Sequence, residues 1–81
     1  MNINVCFYSY FKDLTGTAGV GLTVPDGSTI RELHGELARR FPKLKAMEKS
    51  TLTAVDVDYQ GQDYVLREGD QVSLFPPVQG G

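Results

Sequence analysis

Ile3, Val5 and Phe7 alternate with Asn4, Cys6 and Tyr8 near the start of the chain. A period of two sends successive side chains to opposite faces of a strand, so the odd positions are expected inside. The alternation lapses over Phe11-Lys12-Asp13-Leu14-Thr15-Gly16, read as a loop together with Gly19, and resumes over residues 20–24, which predicts a two-stranded hairpin. Pro25-Asp26-Gly27-Ser28 is turn chemistry. Thr29 with Glu32 three positions on forms a capping box that satisfies two orphan amides, so a helix is expected from Ile30. Ile30, Leu33, Leu37, Ala38 and Phe41 make one apolar stripe at helical spacing. Pro42 ends it, because the residue before proline is pushed out of the α region. Leu44 and Met47 are expected to anchor a short irregular segment. Residues 52–59, rich in Val and Thr, predict a strand, Gln60-Gly61-Gln62 a turn, and 63–66 a further strand. After a turn at 67–70, Gln71-Val72-Ser73-Leu74-Phe75 predicts the last strand, with Val72 and Leu74 inward.

The resulting order, β-β-α-β-β, describes an α+β unit of two layers, a mixed sheet with the apolar stripe of one main helix on one face. Setting the first and last strands side by side in parallel would give a β-grasp arrangement, a pairing the pattern leaves open. Residues 1–75 read as one domain and 76–81 as a flexible tail. Pro76 and Pro77 fix φ near the polyproline value, and the six tail residues reach roughly 20 Å at about 3.3 Å each. Gly80 and Gly81, without Cβ atoms, make a terminus thin enough to thread a narrow channel in another protein, with Val78 and Gln79 leading to it.

Composition narrows the function. At 81 residues the domain buries only about 60–65% of its unfolded surface, so a deep private active site is not expected. With 41% hydrophobic and 22% charged residues the chain is neither disordered nor collagen-like. No apolar run approaches the roughly 18 residues of a membrane span and no basic secretory leader is visible, so a cytoplasmic location is expected. Cys6 is the single cysteine, which leaves no internal disulfide, zinc site or cysteine-held cluster. It is read as a structural thiol, and His34 as a surface or boundary histidine. Asp56, Asp58 and Asp63 lack calcium-loop spacing, and Gly16, Gly19, Gly21 and Gly27 form no phosphate cradle.

The net charge of −2 hides an asymmetry, with six basic and three acidic residues from Arg31 to Lys49 but one basic and five acidic from Asp56 to Gly81. The basic stretch fits a helix end and a solvated face, and nucleic-acid binding is not expected. Metal ligands and a Ser, His and Asp set are lacking, so the chain is not expected to be an enzyme on its own. Tyr8 and Phe75 fall on the outward positions of the first and last strands, where Tyr59 can join them. An exposed aromatic cluster at the root of the tail marks a partner interface.

These residues resemble a known family across essentially the whole chain, the small sulfur-carrier subunits of molybdopterin synthase. The resemblance rests on Gly69-Asp70-Gln71-Val72-Ser73-Leu74-Phe75-Pro76-Pro77-Val78-Gln79-Gly80-Gly81, supported by Phe7-Tyr8-Ser9-Tyr10-Phe11-Lys12-Asp13-Leu14-Thr15-Gly16. It implies a ubiquitin-like β-grasp fold and a carrier whose Gly81 carboxylate is adenylated with ATP by a ubiquitin-activating-like adenylyltransferase, then converted to a thiocarboxylate. It further implies insertion of that end, through Val78, Gln79 and Gly80, into the large catalytic subunit of a heterotetramer, where the sulfur goes to cyclic pyranopterin monophosphate. No cofactor is implied on the chain itself. Tyr8, Tyr59 and Phe75 match the family's hydrophobic contact face, although Tyr8 and Tyr59 are more polar than its usual residues, and Asp56 and Lys12 stand where asparagine and arginine are common. Thiamin-type sulfur carriers and ubiquitin-like protein modifiers conjugated through the same glycine share the scaffold, and they are the alternatives.

Overall fold

The computed structural model describes residues 1–76, with 47–50 described as backbone only. Strand β1 (Asn2–Phe7) lies inside a five-stranded sheet, where alternation is most demanding. Strand β2 (Gly19–Thr23) pairs with it antiparallel, Ile3 opposite Leu22 and Val5 opposite Val20. Strand β5 (Gln71–Phe75) pairs with its other edge in parallel, Val5 beside Val72 and Phe7 beside Leu74. Strand β3 (Leu52–Val55) runs antiparallel to β5, and the two-residue strand β4 (Asp58–Tyr59) closes the order β2-β1-β5-β3-β4. Parallel first and last strands at the centre and a helix crossing one face are the ubiquitin-like β-grasp arrangement.

That helix, α2 (Ile30–Arg40), begins where the sequence says it should. Thr29 Oγ1 accepts from the Glu32 amide at 3.3 Å, and Glu32 Oε1 accepts from the Thr29 amide at 3.0 Å, closing the capping box. Two further amides of the first turn, those of Ile30 and Arg31, donate to the carbonyls of Tyr64 and Gln62 at 3.0 Å each. Ile30, Leu33 and Leu37 are buried against Ile3, Val5, Phe7, Val72 and Leu74. Full burial of each such side chain is worth roughly 1.5–3 kcal/mol. Phe7 meets Phe41 edge to face at 5.6 Å between centroids. After Phe41 the chain continues as a 3-10 segment (Pro42–Ser50), with Leu44 buried in the core. The side chain of Met47, the other expected anchor, lies outside the described residues.

Three expectations need correction. The stretch expected to be a loop after β1 contains a short helix, α1 (Phe11–Thr15). Phe11 is fully buried and so pins the turn to the core, and Gly16 ends it in the left-handed conformation (φ 77°), its amide on the Lys12 carbonyl. Five residues are too few to show a helical period. The strand expected over 52–59 is instead a tight hairpin, β3 and β4, whose turn is made by Asp56 at φ 56°. Residues 63–66 form a single bridge, Val65 with Thr29, rather than a strand, because carbonyls in this loop are spent capping α2. Gly19 is sterically required, since a Cβ there would sit 2.9 Å from the Val5 carbonyl oxygen.

Candidate functional site

The sheet has a face without a helix, built from the even positions of β1 and the odd positions of β5. At one end of it three rings meet. Tyr8 stacks on Phe75 at 4.7 Å with planes 13° apart, and Tyr59 meets Phe75 edge-on at 6.3 Å. Each is positioned by a different local device. Tyr8 donates its amide to the Leu74 carbonyl at 3.2 Å, extending the β1–β5 ladder by one residue, and Ser9 then turns the chain at φ 58° so that α1 leaves without covering the ring. Tyr59 is paired with Ala54, which brings it beside Phe75 after the turn at Asp56. Phe75 is the last residue of β5 and is followed by Pro76.

Tyr59 is 69% exposed and Tyr8 43%. Stacked and edge-to-face rings are worth about 0.5–1.5 kcal/mol beyond area, too little to hold a patch that is mainly a water-facing apolar surface. Leu52, opposite Phe75 in the ladder and 37% exposed, extends the patch. Sequence reading passed over Leu52, although its place as the first residue of a strand paired with Phe75 would have shown it once register was known. The tail residues Val78, Gln79, Gly80 and Gly81, named above as the reactive end and its approach, lie outside the described residues, as does Pro77.

Further along the same face Cys6 is half-buried, with the Gln71 side-chain amide donating to its sulfur at 2.7 Å. That amide contact and a strand setting suit the structural role expected of it. His34 was expected at the surface or boundary, and here the structure differs. It is buried, with Nε2 at 3.0 Å from Thr53 Oγ1 and Nδ1 at 3.3 Å from Gln62 Nε2. Helical periodicity placed it beside the stripe but did not show that β3 and the 60–66 loop stand over that side of α2. Held between the Thr53 hydroxyl and the Gln62 side-chain amide, the imidazole ties the helix to the sheet.

Arg31 pairs with Asp63 at 2.7 Å, both exposed. Among the described residues no group of His, Cys, Asp and Glu is arranged to hold a metal, and no helix is long and apolar enough to cross a membrane. Glu36, flanked by Arg39 at 2.7 Å and Arg40 at 3.7 Å, has its carboxyl pKa lowered, chiefly by the hydrogen bond from Arg39. It lies on α2, away from the ring cluster.

Comparison with known proteins narrows what such a face and tail belong to. A profile described as the ThiS family matches residues 5–81. The Escherichia coli molybdopterin synthase sulfur carrier subunit is 31% identical over 81 residues, covering 98% of this chain and 99% of that protein. A solved structure of a putative molybdopterin converting factor subunit 1 from Pyrococcus furiosus superposes with a TM-score of 0.88 at 28% identity, covering 96% of this chain and 99% of its own. A Helicobacter pylori structure, titled as a complex of subunits 1 and 2 of molybdopterin-converting factor, shares the fold at a TM-score of 0.69 and 22% identity, covering 100% of both chains.

Proposed function

This chain belongs to the ThiS family, and on that footing we propose that it works as the sulfur-carrier subunit of a molybdopterin synthase, with the Gly81 carboxyl as the group that carries sulfur. The observation that carries this reading is the end-to-end likeness to the Escherichia coli sulfur carrier, 31% identical with nearly full coverage of both chains. The aromatic patch at Phe75, one residue before Pro76, supports it. A partner that grips the patch receives the tail at a fixed place and direction.

The chemistry follows from what a carboxylate lacks. An α-carboxylate is ionised at neutral pH and resists attack by a nucleophile. An adenylyltransferase partner overcomes this by joining a Gly81 carboxylate oxygen to the α-phosphorus of ATP, with pyrophosphate leaving. Hydrosulfide released by a donor then attacks the acyl carbon, AMP departs with the oxygen it gained, and loss of the remaining S–H proton leaves the thiocarboxylate. The thiocarboxylate that remains is a softer and stronger nucleophile than the carboxylate, suited to passing sulfur to a pterin precursor within the large subunit. In this reading the chain contributes the reactive end and the docking face, and the catalytic groups belong to its partners. The Helicobacter pylori assembly of subunits 1 and 2 supports a two-subunit arrangement.

Mass spectrometry tests the reading. After incubation with an adenylyltransferase, ATP and a sulfur donor, the chain should gain the mass difference of one oxygen replaced by sulfur. A variant with one residue added after Gly81 should not gain it, while its urea midpoint stays where it was. Equal sulfur loading of the extended chain would overturn the assignment of Gly81. Isopeptide-linked conjugates in cell extract would favour a protein modifier instead, and consumption of the sulfur by a thiazole-forming reaction rather than a pterin would favour a thiamin-type carrier.

A further inference from the structure

The two edges of the sheet are treated differently. Strand β4 is two residues long and carries Asp58, so shortness and charge protect that edge. Strand β2 is five residues long, from Gly19 to Thr23, and has no charge, no proline and an unbroken register against β1. The ladder shows which of its backbone groups are spent. Met1 and Val24 exchange hydrogen bonds at 2.8 and 2.9 Å, and the Phe7 amide donates to the Ala18 carbonyl at 2.9 Å. In an antiparallel pair such positions alternate, so Ala18, Val20, Leu22 and Val24 turn their amides and carbonyls toward β1, while Gly19, Gly21 and Thr23 turn theirs outward. The Thr17 hydroxyl blunts the outward side of Gly19, donating to its carbonyl at 2.9 Å and accepting from its amide at 3.4 Å. Gly21 and Thr23 are exposed.

Beside the Thr23 end of this edge, on the helix side, lies a groove of about 290 Å³, lined by Thr23, Val24, Pro25, Ser28, Glu32, Leu33 and Glu36. Val24 and Leu33, both buried, close its inner side, and its rim on α2 carries two carboxylates one turn apart. A strand added to β2 would direct alternate side chains into that groove, because helix-side positions of a sheet recur every second residue. From this combination we infer that β2 and the adjoining groove form a docking site for an extended, cationic segment of a partner protein, which adds a sixth strand through the outward groups of Gly21 and Thr23.

Charge decides the occupant. Two copies of this chain pairing through β2 would bring two acidic rims together on a molecule of net charge −2, which opposes self-association. A lysine-bearing strand meets the opposite situation. Glu36 already accepts from Arg39 through both carboxylate oxygens, at 2.9 and 2.7 Å, and a partner's cation would displace that 77% exposed side chain. Glu32 has only its Oε1 engaged in the capping box among the hydrogen bonds described. The site lies on the edge of the sheet opposite β4, apart from the ring cluster, and the inference stands or falls independently of the sulfur-carrier reading.

The test uses the intact chain and one defined probe, the peptide acetyl-Lys-Thr-Val-Thr-Lys-amide, followed by NMR. Saturable shifts are expected at the Gly21 and Thr23 amides, with hydrogen exchange there slowed about tenfold at saturation. The same peptide N-methylated along its core, which lacks the donors a ladder needs, should bind at least about tenfold more weakly. So should a version with glutamate in place of lysine. Gly21→Pro removes an outward donor at an edge position where proline is tolerated, and a Cβ there meets only Asn4 Oδ1 at 3.8 Å, so the variant should fold and lose the peptide. Should it fail to fold, Glu36→Lys on the half-buried rim gives the second reading and must weaken binding. Unmoved Gly21 and Thr23 signals at millimolar peptide, equal binding of the N-methylated form, shifts confined to the Tyr8 and Phe75 patch, or protection of Gly21 with a doubled mass and no peptide would each overturn the inference.

Discussion

Phe7 and Phe75 are the same residue type at the ends of neighbouring parallel strands, yet they belong to opposite faces of one sheet. Phe7 is 2% exposed, under α2 and against Phe41, whereas Phe75 is half-buried among Tyr8 and Tyr59 with no helix over it. The covered face is satisfied by the chain itself. Its central apolar side chains, Ile3, Val5, Phe7, Val72 and Leu74, are removed from water, so their energy goes into folding. The open face keeps part of its apolar surface wet, and that portion of the energy is available to a partner. In a domain this small the division arises because α2, together with Phe11 of α1 and Leu44 of the 3-10 segment, supplies one core.

The largest effect should come from Phe7→Ala. Removing a buried ring that the surroundings refill poorly costs about 3–5 kcal/mol. Against the roughly 5–15 kcal/mol that holds a domain together, this leaves a partly unfolded protein, readable as a collapse of the urea midpoint. Phe75→Ala should behave in the opposite way. Loss of the stack with Tyr8 should lower stability by no more than about 1.5 kcal/mol, while affinity for the large subunit, measured by calorimetry, falls by at least about 2 kcal/mol. Unchanged affinity with a large loss of stability would erase the distinction between the faces.

A smaller effect tests how Tyr59 is held. Asp56 makes the hairpin turn at φ 56°, a region that a β-branched residue occupies poorly. Asp56→Val should therefore cost about 1–2 kcal/mol in urea unfolding at an unchanged slope. Because the turn and not the ring is altered, binding should weaken less than in Phe75→Ala. If stability does not move, the turn has another conformation available and Tyr59 is not set by it.

What the sequence disclosed follows the range over which its signals act. The start of α2 was legible because Thr29 and Glu32 are three residues apart and their reciprocal bonds are local. The inward and outward sides of β1 and β5 were legible because alternation is a property of each strand by itself, and that was enough to place Tyr8 and Phe75 on one face. The hairpin between β3 and β4 was missed because Val55-Asp56-Val57-Asp58 alternates like a strand, and aspartate is its one turn residue, without glycine, asparagine or proline. The burial of His34 was missed for a different reason, since Thr53 and Gln62 come over it from 19 and 28 residues away. The parallel pairing of β1 with β5 sets Asn4 beside Gln71 and Cys6 beside Ser73, far apart along the chain, and a short chain segment holds no sign of it. Resemblance to a family supplied that pairing where periodicity did not.

The smallest effect lies on the rim of α2, away from both the core and the ring cluster. Glu36 sits on the solvent side of α2, its carboxyl pKa lowered below the ordinary 4.5, first by the Arg39 hydrogen bond and then by the charges of Arg39 and Arg40. A carboxyl whose folded-state pKa is depressed contributes stability that is present above its unfolded value and is lost as pH falls through the folded one. Glu36→Gln should therefore lower stability slightly at neutral pH, with the difference from wild type fading below about pH 4.5 and shrinking in high salt, as for any exposed pair. Urea titrations at several pH values would read it, and binding of the large subunit should not change at any of them. A loss of that binding in Glu36→Gln would show that the large subunit also uses the groove beside β2, and the ring cluster would then not be its whole contact.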